Sequence, residues 1–362
     1  MTIEDIVERF GNNELATRIN LTEPCVRMCL DKWSEPHRYY HGLNHLSKLL
    51  EDISSLWDSC DWSIENKEKM DLLALFHDVV YDPRKNDNEC ASVKFIKDLR
   101  LMDITQSNYY ELQEILVAID YTKYSKDADF SKLECDNFIR MFCYLDIGGL
   151  TNKFNNETTT SLIAREMAML KEFQFVDFPT YRKKRIEFLQ NFPHFKSGVQ
   201  SVVDFLTNYR PKIGVYPGSF NPFSVGHLDI LEQAEKIFDK VIVVVGRNPD
   251  KDVNVLSTNY VFPQNILPFH EVVSYNGLLS DYLKTLNYAD VTVIRGLRSG
   301  YDLDYEMNQL RVLEDYKCNL PTAYFICNKN TSHVSSSMIR GLSKFPNSDW
   351  QKYIPKKYSY AK

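Results

Sequence analysis

The sequence predicts two domains in series: an all-α domain over residues 1–210, then an α/β domain over 211–362 built on a doubly wound parallel sheet. Three observations carry this. The chain has 362 residues, more than a single core usually accommodates. Up to about residue 210, apolar residues recur at three- and four-residue spacing, with few glycines and no paired alternating runs. Past Tyr209-Arg210-Pro211, short runs rich in valine and isoleucine alternate with helical patterns, as parallel strands joined by covering helices do.

In the first domain, "HLSKLLEDISSLW", "KMDLLALFHDVV", "ELQEILVAID", "SLIAREMAMLKEF" and "RKKRIEFLQNF" each place their apolar residues on one helical face. In the second, strands are expected at 212–217, 239–246, 290–296 and 322–327, with helices at 226–238, 278–287 and 302–316. The run 239–246 holds four valines and one isoleucine, which suits a strand covered on both faces. The helix after the first strand should bury Leu228, Leu231, Ala234, Ile237 and Phe238.

A hydrophobic content of 44% and a charged content of 25% are those of a globular protein. The net charge of −6 argues against a general nucleic-acid partner, which usually shows a basic face, but leaves local anion sites open. No apolar run approaches the ~20 residues that span a bilayer. The acidic, amphipathic start "MTIEDIVERFGNNEL" is unlike a signal peptide. None of the eight cysteines forms a CxxC pair, so buried, reduced thiols in a cytoplasmic protein are expected.

The stretch "GVYPGSFNPFSVGHLDIL" (214–231) ends a strand with Pro217-Gly218 and opens a helix with Gly226-His227. Gly218 permits a tight turn directly after the strand, and Gly226 permits close approach at the first turn of the helix, whose dipole and free amides favour an anion. His227 can donate to a phosphoryl oxygen. The plain alternative is a strand–turn–helix with a capping histidine. "VIRGLRSGYDLDYEMNQL" (293–310) adds Arg295 and Arg298 just after a strand, where ligands of open parallel sheets bind, and guanidinium pairs with phosphate in a fork. Asp302, Asp304 and Glu306 follow, partly as ordinary acid at a helix start. "TSHVSSSMIRG" (331–341) supplies serines ahead of another helix, then Arg340.

Taken in order, these stretches resemble the nucleotidyltransferases with an (H/T)xGH signature, and among them phosphopantetheine adenylyltransferase. That family reads approximately "YPGTFDP…GHxDI", "RGLR…D(F/Y)xYE" and "ISSSxxR/K"; "YNGLLSDYL" (275–283) is also similar to it. The resemblance, over about residues 213–345, implies a Rossmann-like domain that transfers the adenylyl group of ATP, with Mg²⁺, to 4′-phosphopantetheine. It implies Ser219, His227, Lys251 and Arg298 as catalytic, and Gly218, Ser219, Phe220, His227, Gly296, Leu297, Arg298, Glu306, Ser335, Ser336 and Ser337 around the nucleotide. Ser219, Lys251, Leu279 and Arg295 would meet the acceptor. The family's "(F/S)xxER" helix start is replaced by 252–273, with two prolines and no Glu-Arg pair. Nicotinamide mononucleotide adenylyltransferases share the HxGH and SSS elements and stand as the alternative. A homo-oligomer is a further implication of the family.

In the first domain, "FHDVVYDP" (76–83) sets His77 and Asp78 side by side on an apolar helix. Adjacent helical residues diverge by about 100°, so they share a metal only at a helix end or side, with ligands from elsewhere. His37, His41, His45 and Asp146 are available. Imidazole with carboxylate suits Zn, Mn, Fe or Mg; a buried His–Asp pair without metal is the other reading. Residues 30–195 resemble HD-domain proteins described as predicted metal-dependent phosphohydrolases, through "RYYHGLNHL", "LALFHDVVYDP…NECAS", "LDIGGL", "IAREM" and "YRKKRIEFLQNF". That resemblance implies His45, His77, Asp78 and Asp146 as ligands of a divalent metal, Glu89 near its water and His41 as a further contributor. Tyr124 and Ser125 stand where that family often has a histidine. A nucleotide-binding sensor with a hydrolytic helical half is the alternative for the whole chain.

Overall fold

A computed structural model of the protein describes residues 1–58, 63–99, 101, 106–122, 137–147, 158–191, 196–246, 263–275, 277–316 and 321–356. The chain forms two compact units, one of Met1–Glu172 with Arg182–Thr207, the other of Phe173–Tyr181 with Asn208–Lys362.

The first unit is helical among the described residues: α1 (Ile3–Gly11), α2 (Glu14–Arg18), α3 (Glu23–Trp33), α4 (Leu43–Trp57), α5 (Ile64–Phe76), α6 (Asn88–Asp98), α7 (Gln106–Thr122), α8 (Asn137–Asp146), α9 (Thr159–Glu172), most of α10 (Phe178–Gln190) and α11 (Lys196–Asn208). Helix α5 is central, packing on α2, α4, α7 and α8. It is buried nearly all round, from Met70 through Leu72–Phe76. Its charged residues are therefore paired: Asp71 takes a two-armed bond from Arg9 at 2.9 and 2.5 Å, and Lys69 reaches Glu114 at 2.7 Å.

In the second unit the elements run β1 (Lys212–Gly218), α12 (Val225–Ala234), β2 (Lys240–Gly246), α13 (Pro263–Ile266), β3 (Glu271–Tyr275), α14 (Leu279–Thr285), β4 (Asp290–Leu297), α15 (Gly300–Asp315), β5 (Thr322–Ile326) and α16 (Ser336–Leu342), then a 3₁₀ turn at Trp350–Tyr353. The sheet order is β3-β2-β1-β4-β5, every pair parallel. Val241 and Val243 face a core with Ile230, Leu231 and Ala234 of α12. Ile242 and Val244 face the other core, with Leu283 and Leu286. Coverage on both faces is why β2 reads as an unbroken apolar run.

Several expectations need correction. The expected four strands omit β3, a partly exposed edge strand whose Glu271 and Ser274 break the apolar pattern. Helix α12 stops at Ala234 rather than 238, leaving Ile237 64% exposed. Helix α5 ends at Phe76, with His77 as its C-cap and Asp78 in the turn beyond. Segment Phe173–Tyr181, expected within the first domain, packs with the α/β unit instead. There the Phe178 ring stacks on Tyr288 with centroids 6.1 Å apart. Lys240, buried at the start of β2, donates to the Val176 carbonyl and pairs with Glu271 at 2.5 Å. Among the described cysteines, Cys29 and Cys143 are buried but Cys90 is exposed. No helix among the described residues is long and apolar enough to cross a membrane.

Gly214 marks where the layers are closest: a Cβ there would lie 2.5 Å from Ile294 and 2.7 Å from Phe238. Gly214→Ala should destabilise the protein by about 1–3 kcal/mol through overpacking. Gly300→Ala, with nothing within 4 Å of the new methyl, should stay within about 0.5 kcal/mol. Urea unfolding of the two variants checks the contrast.

Candidate functional site

A cleft of about 630 Å³ opens at the carboxyl ends of the strands. Chain order reverses there between β1 and β4, the switch point at which open α/β sheets bind ligands. The end of β1 contributes Gly218, Ser219 and Phe220, and the start of α12 contributes Ser224, Gly226 and His227. Arg295, Gly296, Arg298 and Glu306 come from β4 and α15, Ser335, Ser336, Ser337 and Arg340 from α16, and Leu279 from α14. Leu297 ends β4 but does not line the cleft. Lys251 and residues 252–262 lie outside the described residues.

Two of the cleft glycines leave room for neighbouring side chains. Phe220 takes a left-handed backbone, φ 42°, uncommon for a bulky residue. Its ring occupies the space beside Gly218, where a Cβ would approach to 2.8 Å. Gly296 lets α12 close on β4, since a Cβ there would meet Ile230 at 2.9 Å. At Gly226 a Cβ would find only ordinary contacts, the nearest at 3.5 Å.

Ser224 caps α12, accepting from the His227 amide at 3.4 Å. The Ser224 amide donates back to His227 Nδ1 at 3.0 Å. An N–H can only donate, so Nδ1 carries the lone pair and a neutral ring holds its proton on Nε2. The imidazole is wedged between Phe220 and Phe223, with centroids 5.1 and 5.4 Å away. Burial, with Arg298 adding to it, pushes its pKa down to about 4. His227 is therefore a neutral hydrogen-bond donor near pH 7.

The two arginines are held by carboxylates. Arg295 Nε lies 3.0 Å from Glu306, and Arg298 donates to Asp302 at 3.0 Å through its guanidinium and 2.8 Å through its amide. Burial raises the Glu306 pKa, Arg295 opposing it. Each serine of the triplet has an assigned bond: Ser335 caps α16 at the Met338 amide (3.1 Å), Ser336 donates to the Pro222 carbonyl (2.9 Å), and Ser337 accepts from Arg340 (2.9 Å).

Asp229, absent from the sequence-derived set, ties the loop before α16 to α12. It accepts from the Asn328 amide at 2.8 Å, from Thr331 at 2.9 Å and from the Asn328 side chain. Those bonds hold its pKa low against burial. A carboxylate two residues after His227, in the first turns of α12, was the available signal.

In the helical unit, donor atoms of His45, His77 and Asp146 all lie within 4.8 Å of one another. They come from α4, the end of α5 and the end of α8. His45 Nε2 is 3.1 Å from Asp146 Oδ1. His77 Nδ1 donates to the Ala74 carbonyl at 3.0 Å, so Nε2 is the atom that takes up or releases a proton. That buried atom has no hydrogen-bond partner and faces Asp78 at 3.4 Å and Asp146 at 3.5 Å. Burial disfavours protonating His77, but Asp78 and then Asp146 outweigh it and lift its pKa to about 9, so without a cation Nε2 is protonated near neutral pH. Asp146 is held well below the carboxylate range by His45 and His77. A divalent cation would take the place of that proton, since Nε2 and the anionic oxygens converge on one point.

Asp78 thus borders the centre without joining the three-residue cluster. Two candidates fall elsewhere: His37 bonds the Tyr81 carbonyl at 2.8 Å, and His41 Nδ1 binds Glu172 at 2.5 Å. Glu89 sits in the first turn of α6, outside the cluster. Arg38, which the sequence did not single out, pins the metal-side turn by donating to the carbonyls of Asp78 (2.7 Å) and Val79 (2.9 Å).

The low pKa of His227 has a readable consequence. It protonates near pH 4 in the folded protein and near 6.5 once unfolded. Between those values the unfolded chain binds the extra proton, so this contribution to stability declines as pH falls from about 6.5 toward 4. His227→Gln, which does not titrate, should lose less stability than the parent between about pH 7 and 5. Urea midpoints at the two pH values decide it; parallel losses would contradict the assignment.

Comparison with known proteins places the α/β unit. A family profile described as cytidylyltransferase-like matches residues 215–342. A phosphopantetheine adenylyltransferase of Clostridium perfringens is 37% identical over 153 residues, 40% of this chain and 89% of that protein. Proteins of the same name from Buchnera aphidicola and Alkaliphilus metalliredigens are 30% and 35% identical, over 41% and 40% of this chain and 92% of each relative. Through this α/β domain, which carries the cleft, the chain belongs to the phosphopantetheine adenylyltransferase family of nucleotidyltransferases.

Proposed function

We propose that the α/β domain transfers the adenylyl group of ATP to 4′-phosphopantetheine, forming dephospho-coenzyme A and pyrophosphate. The observation that carries this reading is one cleft in which a neutral Nε2–H donor, two arginines and two helix starts converge. An acceptor phosphate oxygen attacks the α-phosphorus in line as the bond to the β-phosphate oxygen breaks. Phosphoryl transfer of this kind needs positioning and charge stabilisation rather than a covalent intermediate. His227 donates to a phosphoryl oxygen and keeps its proton throughout. Arg295 and Arg298 exchange or share Glu306 and Asp302 for phosphate. Ser219 and Leu279 face the reacting phosphates and the acceptor, Lys251 adds a cation, and Mg²⁺ enters with the nucleotide.

Pyrophosphate release from ATP should require 4′-phosphopantetheine; release only with nicotinamide mononucleotide would replace the acceptor. Tight ATP binding without turnover on either would favour the sensor reading. His227→Ala should lower kcat/KM by roughly 10²–10³-fold, the usual cost of one lost transition-state donor, with circular dichroism unchanged. Transfer at the parental rate would remove His227 from the reaction.

For the helical unit, we propose an HD-type metal-dependent phosphohydrolase. The support is the orphaned Nε2 of His77 set against two carboxylates. His45, His77 and Asp146 would hold the cation, with Asp78 beside it. A divalent metal there lowers the pKa of a bound water and directs it at phosphorus. The parent should retain about one equivalent of divalent metal after gel filtration and His77→Ala should retain far less, by elemental analysis. Equal metal in both would count against the centre.

A further inference from the structure

We propose that the helical unit carries a phosphate-ester subsite beside His45 and Asp146, with Arg165 as its phosphate-binding residue; this rests on the metal-centre reading above. A cavity of about 300 Å³ opens there, lined by Tyr40, Lys48, Asp146 and Arg165 together with His45 and Ser161. Two of the three clustered metal-type donors thus face the same space as a guanidinium.

Arg165 is built into this wall. Its Cζ stands 4.7 Å from the centre of the Tyr40 ring, a cation–π contact that restrains the side chain. Its Nη2 reaches the Asp146 carbonyl at a long 3.4 Å. Arg165 pairs with no carboxylate among the described residues, whereas Arg185 in the next helix is neutralised by Glu166 at 3.0 Å. Lys48, the other cation of the cavity, is bound to Asp52. Helix α9, which carries Arg165, is anchored at its far end by Glu172, a buried acceptor for the Tyr40 and His41 amides at 2.9 Å each. The arginine and Tyr40 are therefore positioned by one carboxylate.

The charge count points to an anion. Lys48 and Asp52 cancel, as do Arg165 and Asp146, while Asp78 adds one negative charge beside the centre. A divalent cation then leaves one positive charge in excess, which a bound phosphate ester meets with its own negative charge. Arg165 presents parallel N–H donors to such a terminal phosphate, while the exposed Tyr39 at the rim meets the remainder of the molecule.

The test uses the full chain loaded with Mn²⁺ and inorganic phosphate as the probe, read by ³¹P relaxation at pH 8, since phosphate close to Mn²⁺ relaxes faster. The parent should show saturable enhancement. Arg165→Met should weaken phosphate affinity by roughly tenfold or more, the worth of a charge-assisted bond, with Mn²⁺ content unchanged. Arg165→Lys, which keeps a cation at the same place, should fall between and guards against a folding defect. The signal should persist in His227→Ala, which separates it from the α/β cleft. Parental phosphate affinity in Arg165→Met overturns this subsite while leaving the metal centre standing. Failure of the parent to hold Mn²⁺ removes the metal centre, and the subsite with it.

Discussion

The α/β domain depends on the close approach of α12 to the sheet. Only hydrogen at Gly296 lets Ile230 lie against β4, and that contact sets the helix start over the ends of β1 and β4. Ser224 then closes the first turn through a reciprocal bond with His227. One capping interaction ends the helix, orients the imidazole and fixes its tautomer. Two residues further on, Asp229 collects the Asn328 and Thr331 donors and so positions the loop that leads into the serine triplet. The cleft is largely organised from this one helix.

The two candidate sites handle charge in opposite ways. In the cleft, Arg295 and Arg298 arrive already paired with Glu306 and Asp302. The Arg298–Asp302 pair is partly exposed, and such pairs contribute little to stability, so an anion can displace or share that carboxylate at small cost. In the helical unit His45 bonds Asp146, but buried His77 Nε2 lies near two carboxylates without a hydrogen bond to either. Buried charge without a partner is expensive, and a cation is the partner that the donor set fits. The first arrangement suits a site that fills and empties with each turnover; the second suits a resident ion.

Much of this was legible in the chain. The valine run of β2, the helical periodicity of α4, α5 and α9, and the glycine- and serine-marked turns around His227 and Ser335 each announce their element, because local propensity and burial agree there. The edge strand β3 was not legible, since a half-exposed strand of five residues keeps polar side chains. Nor was the membership of Phe173–Tyr181 in the second unit, where Lys240 and Tyr288 hold it through contacts distant in sequence. Nor did any local pattern announce that the missing side chain of Gly218, expected to serve a tight turn, makes room for Phe220.

By itself, then, the sequence determined the succession of helices and strands, the parallel sheet and the identity of most chemistry-bearing side chains, because periodicity and turn chemistry are local properties. The tertiary structure alone decided which of those side chains meet. It brought His45, His77 and Asp146 from three helices to one point and sent His37 and His41 to other partners. It also set the proton of His227 on Nε2 and paired both cleft arginines with acids. Distances between residues far apart in the chain follow from packing of whole elements, and no local pattern encodes them.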